Sequence, residues 1–283
     1  MTLLDRRLTP ARPDLAASHL EGKVAATRFV EGERREVVES LAPVRRAPTP
    51  DAALETEALG GERVTVYDIT DEGWAWGQLE CDGYVGWLPA SALAAPGPAM
   101  THRVCALRTL AFPDPSIKLP PLAGLPFGAR VAIVRQAGTF AVSAAGGFIP
   151  ARHLIPLADT ETDFVAVAER FLGTPYLWGG KSSLGIDCSG LSQVALTACG
   201  VDCPRDSDMQ QAALGAPVAP NAAYSNLRRG DLVFWKGHMG IVRDAATLLH
   251  ANAFHMAVAL EPIAEAVARI RLTDGDPIAV KRL

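Results

Sequence analysis

Asp187-Cys188-Ser189-Gly190 opens an apolar-periodic stretch, and a cysteine in the first turn of a helix can be a nucleophile. Its sulfur lies near unpaired backbone N–H groups and the positive end of the helix dipole. That setting favours thiolate over thiol and can lower the pKa from about 8.5 to about 3.5–7.5. The other reading of a free cysteine is a small buried apolar residue. Two histidines favour the first. His238 heads MGIV (239–242), and His250 lies near the end of TLLHA (247–251). A hairpin turning around residues 243–246 would set the two imidazoles across from one another, within one residue of register. One could then take the thiol proton while the other fixes its tautomer and steadies the imidazolium. His19, His102, His153 and His255 lack this placement and read as structural. Cys199 and Cys203 are four apart, but Gly200 intervenes and no second ligand pair with zinc spacing follows, so neither a metal nor a cofactor is expected.

The elements that must position these residues are written in the period of the apolar pattern. Leu191, Val194, Ala195 and Ala198 continue the helix from Cys188, and Gly200 closes it. An earlier helix is marked by Phe164, Val167, Ala168 and Phe171, with Thr160 and Thr162 as caps and Gly173 and Pro175 as stops. Short strands follow at 231–235, 239–242, 247–251 and 278–283. Helices first and then a run of strands is an α+β order.

Upstream the texture differs. ERVTVYDI (62–69) alternates as a half-buried strand should, and GWAWGQLE and DGYVGWLP add two more short strands punctuated by glycine. GARVAIVRQ (128–136), GTFAVSA (138–144) and GGFIPARHL (146–154) repeat the theme, with GFIP standing where GWLP stood. The expected organisation is an N-terminal arm over 1–40, a small β-barrel over 41–98, a second over 99–157, and the α+β domain over 158–283. EGERREVVES (31–40) reads as a short exposed helix or a lead-in, and FPDPSIKLPPLAGLP (112–126) as a linker or contact surface.

Composition fits this plan. Of 283 residues, 49% are apolar and 20% charged, which allows a real core and rules out wholesale disorder. A net charge of −4 argues against nucleic acid or a polybasic membrane partner. No apolar run approaches the roughly 18 residues a spanning helix needs. Asp5, Arg6 and Arg7 interrupt any signal-like apolar stretch, and five sparse cysteines are no disulfide framework, so the expected location is the cytoplasm.

The motifs also carry a family resemblance. YLWGG (176–180), DCSGL (187–191), RRGDLVFW (228–235), HMGIV (238–242) and LLHA (248–251) resemble, in order, the NlpC/p60 family of cell-wall cysteine peptidases. GYVGWLP resembles the ending of bacterial SH3-like domains. The fold implied is multidomain α+β, two small SH3-like β-barrels followed by a papain-like α+β catalytic domain. The resemblance makes Cys188 the nucleophile, His238 the general base and His250 the residue that orients it, with an oxyanion hole at the Cys188 backbone N–H. Tyr176 lies in the cleft motif, with Trp178 beside it.

Two SH3-like domains before the catalytic domain resemble a subgroup that cleaves γ-D-glutamyl bonds of murein peptides bearing a free N-terminal L-alanine. That similarity implies a murein-derived L-Ala-γ-D-Glu-diamino acid peptide as partner, in cell-wall peptide recycling, with meso-diaminopimelate or L-lysine as the diamino acid. It implies that Glu55 and Tyr84 meet the substrate amine, although Glu57 stands where the subgroup has Gln. Asp187, Ser189, Arg205, Asp206 and Ser207 match positions lining its substrate site. Asp187 also suits the N-cap of the catalytic helix, and Arg205 suits either a substrate carboxylate or a loop tie. Two other functions remain open: acyl transfer or amidase chemistry on another amide, and a non-catalytic wall-peptide-binding module.

Overall fold

Val64 and Val66 turn inward from ERVTVYDI, and the strand Arg63–Ile69 follows from that alternation. It pairs antiparallel with Trp74–Leu79, which pairs in turn with Val85–Pro89. The computed structural model describes residues 4–283, and the chain divides into units Met1–Asp159 and Thr160–Leu283. In the first unit these three strands belong to a seven-stranded sheet. Its order is Leu54–Leu59, Leu41–Arg45, Val85–Pro89, Trp74–Leu79, Arg63–Ile69, Glu33–Val37, Leu93–Ala94. Val37, Val44, Val64, Leu79, Tyr84 and Leu88 fill its core.

The segment 31–40 departs from expectation. Glu33–Val37 is neither a helix nor a free lead-in but a strand beside Arg63–Ile69. Its charges are matched across the sheet, Arg34 to Glu80 at 2.7 Å and Glu36 to Arg63 at 2.9 Å, while Val37 enters the core. The first three residues of the expected arm lie outside the described residues.

Shorter strands follow in residues 102–156, around Val104, Ala129, Val131, Ala141, Ile149 and Leu154. The stretch read as a linker ends in Ala123–Pro126, which folds back on Arg108–Ala111 as a hairpin.

The second unit begins with α1 (Phe164–Glu169), capped by Asp163 rather than by Thr160 or Thr162. One Asp163 carboxylate oxygen accepts from the Val165 and Ala166 N–H groups. The helices α2 (Cys188–Ala198), α3 (Ser207–Ala213) and α4 (Ile263–Arg271) follow. A six-stranded sheet is built from β1 (Ala216–Pro217), β2 (Leu232–Trp235), β3 (His238–Val242), β4 (Thr247–Asn252), β5 (Ala257–Pro262) and β6 (Ala279–Arg282), in the order β1-β6-β2-β3-β4-β5. α2 packs on β3 and β4, and α4 on β4 and β5.

The start of α2 is pressed onto the loop before it. A Cβ on Gly190 would lie 2.3 Å from the Gly180 carbonyl oxygen, and one on Gly180 would lie 2.4 Å from that of Gly185. Backbone cannot yield as a side chain can. Gly190→Ala is therefore expected to destabilise the protein by about 1–3 kcal/mol or more, measured as a lower denaturant midpoint at unchanged slope.

Candidate active site

Cys188 is the first residue of α2, and Asp187 before it is the N-cap. One carboxylate oxygen of Asp187 accepts the Gly190 N–H at 2.6 Å, and the other accepts the Gly179 N–H at 2.8 Å. Arg205 reaches both oxygens, at 2.9 and 2.7 Å, and donates to the Ser189 hydroxyl at 2.9 Å and the Gly180 carbonyl at 3.3 Å. At 1% exposure the Arg205 guanidinium is wholly inside. Its contacts are those of a loop tie and not of a surface cation. Ser189 is buried, with its hydroxyl shared between Asp187 and Arg205. Gln210, from α3, donates to the Ser189 and Pro204 carbonyls at 2.9 and 2.8 Å. Asp206 and Ser207 stand half-buried at the start of α3. Tyr176 is half-buried near Cys188 and Asp187, while Trp178 is 64% exposed.

The histidines come from the hairpin β3–β4. The ladder pairs Ile241 with Leu249 and Val242 with Leu248, so its centre falls one residue later than the symmetric placement. The two imidazoles therefore meet diagonally, His238 Nε2 to His250 Nδ1 at 3.0 Å. His250 is 1% exposed, and its Nε2 lies 3.1 Å from Glu261 Oε2 on β5. Arg269 of α4 donates to both Glu261 oxygens at 3.0 and 2.7 Å and lies over the Phe254 ring.

Glu261 and Arg269 were not among the expected site residues. The signal was faint: in AVALEP (257–262) Leu260 is exposed and Glu261 buried, the reverse of their types. His250, His255 and Glu261 bring one ligand atom each within 4.8 Å of one another, as a metal would need. The Arg269 guanidinium already covers both Glu261 oxygens, and a second cation there would face its charge, so this is not a metal site.

Burial governs the charges. It pushes the Cys188 thiol up to about 12, with the Asp187 carboxylate adding to it, against the backbone N–H groups of Met239 and Ser189 and the charge of Arg205. The depressed thiol expected from the helix start is overturned by this desolvation. Burial, His250 and Arg269 push His238 down to about 3. Burial also lowers His250, and it raises the Tyr176 phenol, to which an ionised Cys188 and the Asp187 charge add. The resting site therefore holds a thiol and two neutral imidazoles. Against burial, hydrogen bonds from His250 and Arg269 bring Glu261 down to about 2, so it is anionic.

In the first unit, the Tyr84 hydroxyl donates to Glu55 Oε2 at 3.4 Å, and Glu55 also pairs with Arg46. Tyr84 is buried and Glu55 half-buried. Of the two glutamates in ETE, Glu55 meets the Tyr84 hydroxyl, and Glu57 is buried on the same strand.

Residues 173–274 match the NlpC/P60 family model, and residues 44–93 match the bacterial dipeptidyl-peptidase Sh3 domain. The γ-D-glutamyl-L-lysine dipeptidyl-peptidase of Bacillus subtilis (strain 168) is 30% identical over 230 residues, 71% of this chain and 73% of that protein. The chain belongs to the NlpC/P60 family. It is a cysteine peptidase of peptidoglycan peptides, with an N-terminal SH3-like region and an α+β catalytic domain. The Bacillus cereus (strain ATCC 10987 / NRS 248) protein with the same name is 27% identical over 242 residues, 74% of this chain and 71% of its own. The crystal structure of an NlpC/P60 family protein from Bacillus cereus ATCC 10987 shares the fold, with a TM-score of 0.72 over 88% of this chain and 99% of that one, at 21% identity.

Two predictions follow from the buried charges. Arg205→Met should cost about 3–5 kcal/mol, because it strands the Asp187 carboxylate inside, and thermal melting would register it. The second concerns acid. The unfolded chain binds protons at His238 and His250 near pH 6.5, whereas the folded chain binds them only at lower pH, about pH 3 for His238. Stability is therefore present above about pH 6.5 and falls as the pH drops. Glu261 adds a loss of the same sign from about pH 4.5 down to about pH 2. Urea unfolding at about pH 7.5 and about pH 5 should differ by on the order of 2 kcal/mol, and His238→Asn should shrink the difference.

Proposed function

We propose that the enzyme hydrolyses the γ-D-glutamyl–diamino acid bond of murein peptides that carry a free N-terminal L-alanine. The diamino acid is meso-diaminopimelate or L-lysine. Cys188 is the nucleophile, His238 the general base and His250 its orienting partner. The observation that carries the chemistry is the diagonal imidazole pair beside the start of α2. His238 Nε2 is engaged by His250, which leaves Nδ1 to take the thiol proton. The Met239 N–H, one residue on from His238, is directed at the Cys188 sulfur, which supports their being neighbours.

As the Cys188 sulfur attacks the γ-carbonyl, its proton passes to His238 and the carbonyl oxygen gains charge. The Cys188 backbone N–H, at the head of α2 and unpaired within it, can receive that oxyanion. The imidazolium then gives its proton to the leaving diamino acid amine. Water, activated by the neutral His238, releases L-Ala-γ-D-Glu from the thioester. The Tyr176 phenol stays protonated beside Cys188 and can donate to substrate. Asp206 and Ser207 stand at the polar rim of the proposed substrate site, and Asp187 and Ser189, buried beneath it, support it rather than line it. Arg205 acts there through Asp187 and Ser189, which it holds.

Glu55 and Tyr84 support selection of a free substrate amine. A carboxylate with a phenol at its side can receive an ammonium that an acylated peptide lacks. The Bacillus subtilis relative, a γ-D-glutamyl-L-lysine dipeptidyl-peptidase, favours the same class of bond. All five cysteines are free thiols, which favours a reducing compartment, and we propose peptide recycling in the cytoplasm.

Mass spectrometry of L-Ala-γ-D-Glu-meso-diaminopimelate, incubated beside its N-acetylated copy, tests the reading. Cleavage of the free-amine peptide alone is expected. Cleavage of both would remove the amine requirement, and cleavage of neither would overturn the substrate. Cys188→Ala should lower turnover by about 10³-fold or more, by analogy with triad deletions. Substantial residual activity would exclude Cys188 as the nucleophile.

A further inference from the structure

Glu261 on β5 and Arg269 on α4 lie outside the reacting pair, and their geometry specifies where protons sit within it. Successive residues of a strand alternate faces, and β4 pairs His250 with Ala259 and Leu248 with Glu261. Glu261 therefore shares a face with His250, one diagonal step further across the sheet. His238, His250 and Glu261 form a staircase over β3, β4 and β5, with contacts of 3.0 and 3.1 Å. Arg269 closes it from α4, with both its bonds on the Glu261 carboxylate.

Each contact admits one proton, and the chain can be read from its charged end. A carboxylate held by a guanidinium is anionic and can only accept. Its partner, His250 Nε2, must carry a hydrogen. In a neutral imidazole the other nitrogen is then bare, so His250 Nδ1 is an acceptor. His238 Nε2, facing it, must be the donor, which leaves His238 Nδ1 bare. We propose that Glu261, fixed by Arg269, is a positioning residue that locks His250 as the Nε2–H tautomer and thereby keeps the Nδ1 atom of His238 free to act as the base. The proposal rests on reading Cys188 and His238 as the reacting pair.

The surroundings agree with that assignment. The charged and titratable groups around the staircase are His255 beside His250, Arg269 beside Glu261, and Cys188, Asp187 and Arg205 at the helix start. Against burial, hydrogen bonds from His250 and Arg269 hold Glu261 down at about 2, so it stays anionic.

A substitution that removes the acceptor releases the chain. Glu261 Oε2 accepts from both Arg269 and His250, so in Glu261→Met no acceptor faces His250 Nε2 and its hydrogen is no longer confined to that atom. Where His250 carries the hydrogen on Nδ1, His238 accepts it at Nε2, and His238 Nδ1 is protonated toward the thiol. In that fraction of molecules the base is blocked.

Long-range ¹H–¹⁵N correlation on histidine-labelled protein reads the tautomers directly, without turnover. In the wild type, His250 and His238 are both expected as Nε2–H, and in Glu261→Met as a mixture with Nδ1–H. A kcat loss of about 10-fold or more with little change in KM should accompany the change, in the direction of the wrong-tautomer variant of a serine triad. Glu261→Gln/Arg269→Met puts back an acceptor for His250 with no competing donor, so it should regain part of the lost kcat and the Nε2–H signals. A merely structural pair would instead make this double variant worse than Glu261→Met. An Nδ1–H signal from wild-type His250, or an unchanged kcat and spectrum in Glu261→Met, would overturn the lock. Full activity in Cys188→Ala would instead overturn the reacting pair, while the tautomer spectra would still report on the lock.

Discussion

A guanidinium with no access to water needs acceptors on every side, and the Asp187 carboxylate supplies Arg205 with both of its charged ones. Arg205 lies inside with both terminal nitrogens committed, and the Asp187 carboxylate takes its charge while capping α2. The cost of desolvating such a pair is several kcal/mol per ion, and it is offset only when the remaining hydrogen bonds are made. Here they are made by the Gly179 N–H, the Gly180 carbonyl and the Ser189 hydroxyl. The loop YLWGG, the head of α2 and the segment leading into α3 are thereby joined at one carboxylate. Gly180 and Gly190 permit the approach, since a methyl at either would strike a carbonyl oxygen. The position of Cys188 is a consequence of this junction more than of the helix that carries it.

The other half of the site is set by the sheet. β3 contributes His238, β4 His250 and Asn252, and β5 Glu261 to one face of the sheet. Val242 and Leu248 on that face pack with Ile263, Ala266, Val267 and Ile270 of α4. Dry surroundings make an unpaired polar atom expensive, so the staircase of His238, His250 and Glu261 is terminated by a cation that comes with the covering helix. α4 thus does two things: it seals the sheet face, and it supplies the charge at the far end of the imidazole chain.

Much of this was legible in the sequence, for local reasons. The 3.6-residue period after Cys188, the closing Gly200 and the short hairpin between the histidines each act within about a dozen residues. The SH3-like strands are likewise marked by alternation and by glycines at their turns. Glu33–Val37 was not legible because four of its five residues carry charge, and the partners that satisfy two of them lie far along the chain, Arg63 on the neighbouring strand and Glu80 in a turn. Glu261 and Arg269 were hidden for a related reason. A glutamate before a proline reads as solvated until the register of β4 against β5 puts it beside His250. The ionisation of Cys188 was misread because the helix-dipole argument assumes a first turn open to solvent, and here desolvation outweighs it.

A buried thiol that keeps its proton has one more property. Peroxides and other electrophiles attack the thiolate, and the oxidation of cysteine begins from that anion. Cys188 in the resting site offers almost none of it, whereas Cys81 stands exposed at the surface. In the proposed mechanism the sulfur becomes reactive as His238 withdraws its proton. Between turnovers the proposed nucleophile is then held in the thiol form, which oxidants attack least.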